Sequence, residues 1–243
     1  MNKETEAWYA SWFNTPYYHI LYKDRDHREA ALFMNTLTSY LNLKKGDTIL
    51  DLACGKGRHS KYLSRNGFDV TGVDLSEESI AYAKQFENPQ LHFEVHDMCV
   101  PYPQKFDAVF NLFTSYGYFE KDIDNLRTIE AIKKELKPNG FGVIDFLNVK
   151  LAIKNLIRTE TKKVGNILFH IDKHVKDGFI FKDIRFKDKD DEFLFTERVK
   201  ALTLDDFKSY FLQAEVELKA VFGDYHLNAF DENTSERLIL IFH

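Results

Sequence analysis

Between residues 47 and 148 short apolar runs alternate with amphipathic segments, and this alternation constrains the fold more than any other feature. "DTILDLA" (47–53), "DVTGVDLS" (69–76), "LHFEVHDM" (91–98), "FDAVFNLF" (106–113) and "FGVIDFLN" (141–148) read as strands. The segments between them read as helices. "GRHSKYLSRNG" (57–67) is closed by Gly67 as a C-terminal cap, and "EESIAYAKQF" (77–86) is opened by Ser76 as an N-cap. "DNLRTIEAIKKELKPNG" (124–140) is expected to stop at Pro138 and Gly140. Strands separated by helices predict a parallel sheet covered on both faces.

The pattern changes on either side of this core. Upstream, residues 3–14 and 26–41 read as helices. In the second, Ala30, Phe33, Met34, Leu37 and Leu41 recur at helical spacing. Downstream, residues 167–202 alternate with period two. Asp177-Gly178 marks a two-residue hairpin turn and "DKDDE" a second, charged turn, so three antiparallel strands are expected there. "LTLDDFKSYFLQAE" is a helix with a Thr203–Asp206 capping box, and "VELKAVFGDY" and "SERLILIFH" are two closing strands. Four segments follow: an N-terminal helical segment (1–44), a Rossmann-like core (45–150), an antiparallel insert (151–203) and a closing helix with hairpin (204–243).

A loop joining the first strand to the first helix of such a sheet opens at the strands' carboxyl ends, where parallel sheets bind ligands. Here that loop is "DLACGKGRHS", and its glycines let a ligand lie against the main chain. Asp74 ends the second strand, seventeen residues after Gly57, where a carboxylate can accept from both ribose hydroxyls. Asp97 ends the third, where a carboxylate can accept from an adenine amine. A dinucleotide and S-adenosylmethionine both fit this set. The dinucleotide pattern wants a third glycine, and this series runs Gly55, Gly57, Ser60.

The ordered motifs "ILDLACGKGRHS…VTGVDLS…VHDM…FDAVFNLF…ELKPNGFGVIDF" resemble the class I S-adenosylmethionine-dependent methyltransferases of small-molecule type, over residues 45–148. The closing "VFGDY…SERLILIFH" is similar to that family's antiparallel sixth and seventh strands. The resemblance implies a Rossmann-like seven-stranded sheet with an antiparallel β insertion after the fifth strand. It implies S-adenosylmethionine as cofactor and methyl transfer to a small-molecule acceptor. One departure is Ala53, which stands at the first glycine of the family's loop and is expected to leave the backbone intact.

The resemblance also implies roles. Asp51 would order the loop and hold the methionine ammonium. The backbone at Ala53, Gly55 and Gly57 would line the methionine and ribose. Asp74 would bind the ribose, and Leu75 would pack on adenine. Asp97 and the Met98 amide would read the adenine edge. Asn111 and Leu112 would lie near the sulfur. The segment "YYHILYKDRDHREAA" is similar to the family's cofactor-covering segment. Tyr18 would fence the site with Tyr9, Tyr17 and Tyr22, and the Arg28 fork would bind the cofactor carboxylate. "FTSYGYF" offers Ser115, Tyr116 and Tyr118 at the same end of the sheet, none of them assigned as a base. The insert would roof the acceptor site or pair two copies as a homodimer.

Composition narrows the partners. A net charge of −5 argues against a broad nucleic-acid-binding face. Two cysteines, Cys54 and Cys99, make no disulfide framework or metal motif, so free thiols and a cytoplasmic setting are expected. His92, Glu94 and His96 share one strand face and read as a solvated edge rather than as metal ligands. No run of about eighteen apolar residues predicts a membrane span. Two other readings stand beside the methyltransferase: a catalytically silent cofactor-binding sensor or scaffold, and a nicotinamide-dependent oxidoreductase.

Overall fold

The computed structural model describes residues 12–22, 27–119 and 121–243 of the 243-residue chain. The helix expected over 3–14, and Tyr9 with it, falls almost wholly outside the described residues. The chain divides into two units, residues 1–25 with 152–201, and residues 26–151 with 202–243.

The second unit is built on a seven-stranded sheet. Its strands are β1 (Thr48–Leu52), β2 (Asp69–Asp74), β3 (Leu91–Val95), β4 (Phe106–Asn111), β5 (Leu136–Leu147) and two closing strands, Leu218–Phe222 and Arg237–Phe242, which are β10 and β11 below. Their spatial order is β10-β11-β5-β4-β1-β2-β3. β1 to β5 pair in parallel, and β11 runs antiparallel to both of its neighbours. This is the Rossmann-like arrangement expected. The helices are α2 (His27–Tyr40), α3 (Arg58–Arg65), α4 (Glu77–Ala83) and α5 (Asp122–Glu135), with Leu204–Ala214 (α7) preceding the closing strands. Central strands buried on both faces need continuous apolar runs. Ile49, Leu50, Val70, Val73, Ala108, Val109 and Phe110 supply them, all but withdrawn from solvent. Phe33, Met34 and Leu37 of α2 join the same core.

The caps read from sequence are present. Ser76 Oγ accepts from Ser79 N, and Gly67 follows the end of α3 at φ +96°. Thr203 and Asp206 form a reciprocal capping box on α7. One boundary differs. The helix expected to stop at Pro138 and Gly140 ends at Glu135, and β5 starts at Leu136. A residue before proline is pushed out of the helical region, so Pro138 acts upstream of itself. Residues 137–140 then form an irregularity in the β4–β5 pairing, which passes from Phe106↔Leu136 to Ala108↔Phe141. Gly140 is needed there, because a Cβ would meet the Phe106 carbonyl oxygen at 2.8 Å.

A short helix, α6 (Val149–Lys154), leads out of β5. The first unit is a four-stranded antiparallel sheet of β6 (Thr159–Val164), β7 (Ile167–Lys176), β8 (Phe179–Asp188) and β9 (Asp191–Lys200), in that order. Four strands replace the three expected. β6 is "TETKKV", too polar to show the alternation, and it lies at the sheet edge with most of its residues exposed. The hairpin at Asp177-Gly178 is a left-handed pair, φ +50° and +76°, as a two-residue turn requires. One face of this sheet packs Ile167, Phe169, Ile171, Ile184 and Phe186 against Trp12 and Leu21 of the N-terminal segment. There Thr15 caps α1 (Pro16–Leu21). Glu197 of β9 accepts from Trp12 Nε1 at 2.8 Å and Tyr22 Oη at 2.6 Å, so polar bonds as well as apolar area tie the segment to the sheet.

Candidate cofactor site

The turn after β1 carries three left-handed residues: Ala53 at φ +57°, Gly55 at +54° and Gly57 at +72°. Cys54 N donates to Val73 O and Gly57 N to Cys54 O, so the loop closes on itself at the carboxyl ends of β1 and β2. The first-glycine position is therefore filled by an alanine holding a conformation that glycine adopts without strain. The two remaining glycines face different surroundings. A Cβ at Gly57 would collide with the Phe93 ring, whereas one at Gly55 would meet no atom of the described residues within 4 Å.

Two carboxylates flank this loop. Asp51 is buried and accepts from Ser60 Oγ at 2.6 Å. Burial lifts its carboxyl to about 6, with the nearby Asp74 charge adding to the rise and Ser60 opposing it. Asp74 accepts from Gly55 N through Oδ2 and from Ser76 N through Oδ1, both at 2.8 Å. Burial pushes it up as well, against those two bonds. Each Asp74 oxygen keeps a further lone pair for a donor.

At the end of β4, Asn111 is fully buried. Its Nδ2 donates to Met98 Sδ at 3.4 Å, and its Oδ1 has no hydrogen-bond partner among the described residues. A buried amide oxygen left unpaired costs free energy, which is the mark of a group awaiting a donor. Leu112 follows it, also buried. Leu75 is 46% exposed just past Asp74, an apolar side chain with an open face. Asp97 lies two residues beyond the end of β3, and its Oδ1 accepts from Cys99 N at 2.9 Å.

Hydrogen bonds thus tie Asp74 to Gly55 of the loop and Asp51 to Ser60 of α3, and couple Asn111 to Met98. Arg28 lies in the first turn of α2 with its side chain exposed. Tyr18 belongs to the first unit, where its ring lies 4.8 Å from Phe13 and 5.0 Å from Tyr22. Tyr116, which the sequence offers at the end of the sheet, is turned into the core. Its ring packs 5.3 Å from Phe207 and its hydroxyl donates to Asn125 O. β3 is the sheet edge, and His92 and Glu94 are exposed on it.

Other residues to which the motifs assigned no role crowd this end of the sheet. Phe113 stacks on His59 at 4.3 Å, and Asp145 of β5 pairs with Arg237 of β11. An acid within "GVIDF" was the one available signal. The conformation of Phe113 left none.

The family model for the methyltransferase domain matches residues 49–140, which spans this loop and both carboxylates. Residues 49–140 are similar to a methyltransferase domain. The relatives agree. The Bacillus subtilis (strain 168) protein YqeM, named as a methyltransferase, is 36% identical over 108 residues, covering 43% of this chain and 44% of its own. The glycine/sarcosine N-methyltransferase of Aphanothece halophytica is 28% identical over 160 residues, 63% of this chain and 57% of its own. The chain spans about half the length of the curated relatives it matches. Among solved structures, an S-adenosylmethionine-dependent methyltransferase from Clostridium acetobutylicum ATCC 824 superposes with a TM-score of 0.78 at 20% identity. The match covers 93% of this chain and 95% of that one, so the methyltransferase-domain fold is shared nearly throughout.

Proposed function

We propose that the chain is an S-adenosylmethionine-dependent methyltransferase acting on a small-molecule acceptor. The observation that carries this is a buried Asn111 oxygen, unpartnered among the described residues, together with the buried Asp51 and half-buried Asp74 carboxylates around a left-handed glycine loop. The residues fit the cofactor's chemistry. Asp51 offers a desolvated carboxylate to the methionine ammonium, and Arg28 a cation to its carboxylate. Gly55 leaves the main chain open to it. The free lone pairs of Asp74 receive the ribose hydroxyls, and the open face of Leu75 receives the adenine ring. Asp97 and the Met98 N–H address the adenine edge. Asn111 and Leu112 face the sulfonium end.

When bound, the cofactor supplies a methyl group on a positively charged sulfur, already activated toward displacement. The protein's part is then alignment rather than activation. A base is required only for an acceptor that must lose a proton, and no residue is assigned to that role. A reducing, cytoplasmic setting accords with Cys54 and Cys99, both free thiols, whose acidity burial suppresses. Among the described residues no helix is long and apolar enough to cross a membrane.

The test is turnover. The protein is incubated with S-adenosylmethionine and fractions of a small-metabolite extract, and S-adenosylhomocysteine is followed by mass spectrometry. At least one fraction is expected to raise its formation above the acceptor-free rate. Binding of S-adenosylmethionine with no fraction raising turnover would favour a silent sensor instead.

A further inference from the structure

β4 leaves the sheet at Asn111, and two residues later the chain does something unusual. Phe113 at φ +60° and Thr114 at φ +61° are consecutive non-glycine residues in the left-handed region, which side chains of this kind avoid. Such a pair persists only where its surroundings over-determine it. The surroundings here are one acid and one base. Asp145 of β5, fully buried in an otherwise apolar stretch, accepts from Phe113 N through Oδ2 at 2.8 Å. Its backbone oxygen accepts from Thr114 N at 3.0 Å. Arg237 of β11 donates to Asp145 Oδ1 from Nε at 2.8 Å and stands at 2.7 Å from it through Nη2. The same Nη2 donates to Thr114 Oγ1 at 2.9 Å. Tyr225 closes the set, its hydroxyl 3.4 Å from Asp145 Oδ2 and its ring under the guanidinium at 5.5 Å.

A buried ion pair is a weak source of stability, because the desolvation of both charges offsets their attraction. This pair directs its remaining hydrogen bonds at the two strained residues. The result is a fixed place for the Phe113 ring. It stacks 4.3 Å from His59, which lies two residues beyond Gly57, and sits 6.0 Å from Phe33 and 5.6 Å from Tyr225. The loop after β4 is thereby fastened to the helix that follows the glycine loop.

We infer that Arg237, acting through Asp145 and Thr114, is a positioning residue that holds the Phe113–Thr114 turn in its left-handed form and so sets the Asn111–Leu112 end of the cofactor site. The inference rests on the cofactor reading given above. Lysine at 237 keeps the charge and loses the fork that reaches both partners. Glycine at 114 adopts positive φ without help. The two substitutions together separate positioning from general stabilisation.

The experiment is isothermal titration of the full-length protein with S-adenosylhomocysteine, paired with amide hydrogen exchange. Arg237→Lys is expected to weaken binding about tenfold and to speed exchange at Phe113 and Thr114. Adding Thr114→Gly to that variant is expected to return affinity to within about twofold of wild type. Thr114→Val, which leaves the ion pair intact and removes only the hydroxyl, is expected to weaken binding about threefold. It serves where Arg237→Lys does not fold. Wild-type-like binding and exchange in natively folded Arg237→Lys, or in Thr114→Val, would overturn the inference while leaving the cofactor reading standing. So would failure of Thr114→Gly to rescue. Absence of binding by the wild-type protein would overturn both.

Discussion

Gly55 and Gly57 share a left-handed backbone and differ in what faces them, and the difference predicts different failures. Gly57 has Phe93 where a Cβ would go, so its glycine serves packing. A Cβ at Gly55 would meet no atom of the described residues within 4 Å, so its glycine serves whatever lies against the loop. Gly55→Val is therefore expected to cost on the order of 1–2 kcal/mol of backbone strain, keep a native circular dichroism spectrum and abolish S-adenosylmethionine binding. Normal binding by the folded variant would remove the loop from the site. Asp51 carries a second residue-scale prediction. Its carboxyl, raised to about 6, holds its proton more tightly in the folded state than in the unfolded chain. Charging it therefore costs stability as pH rises from about 4 through 6. A bound ammonium reverses that cost, so affinity depends on Asp51 being ionised. Between pH 7 and pH 5, where the ligand's own amine stays protonated, affinity for S-adenosylmethionine is expected to fall about tenfold. Asp51→Asn is expected to bind weakly at both pH values. A wild-type affinity that does not change across this range would sever Asp51 from the ligand.

At the scale of elements, α5 carries a buried acid at its last residue. Glu135 is wholly withdrawn from solvent. Its Oε1 accepts from Tyr102 N at 2.8 Å, and its Oε2 has no partner among the described residues. Burial lifts the carboxyl to about 7, against the opposing pull of that bond. The folded state thus keeps a proton that the unfolded state releases, and stability is lost as pH rises from about 4.5 to 7. The loss is on the order of 3 kcal/mol, complete above that range. Glu135→Gln keeps the bond from Tyr102 and cannot ionise. Urea midpoints at pH 8 should favour the variant, and at pH 4.5 the two proteins should converge. Equal midpoints at pH 8 would contradict the burial argument. The elements themselves were legible to different degrees, for physical reasons. β1, β2 and β4 are buried on both faces and so read as apolar runs, and Ser76, Gly67 and the Thr203–Asp206 pair announced their helix ends. β6 did not show, because an exposed edge strand has no apolar face to display. Glu135 ended α5 earlier than expected, since a proline disturbs the residue before it rather than itself. In the site, carboxylates at strand ends and glycines in the loop were visible as residue types at the right spacing. The left-handed turn at Phe113 and Thr114 was not, because it depends on a partner ninety-two residues from Asp145 in the chain.

At the scale of the whole molecule, the loop, Asp51, Asp74, Asn111 and the Asp145–Arg237 pair all belong to the unit formed by residues 26–151 and 202–243. The sheet of 159–200 and the N-terminal segment form the other, held by their own aromatic core and by Glu197. The proposed cofactor site is the cluster of Asp74 with the glycine loop, in the unit of residues 26–151 and 202–243. The most direct measurement is equilibrium titration of S-adenosylmethionine into wild-type protein and Asp74→Ala at pH 7, with NAD as the comparison ligand. The wild type is expected to bind one equivalent of S-adenosylmethionine and no NAD. Loss of the carboxylate's charged hydrogen bonds is expected to weaken binding by about 1.5–3 kcal/mol, roughly ten- to two-hundredfold, in a variant that keeps its fold. An Asp74→Ala protein that binds S-adenosylmethionine as tightly as the wild type, or a wild type that prefers NAD, would contradict it.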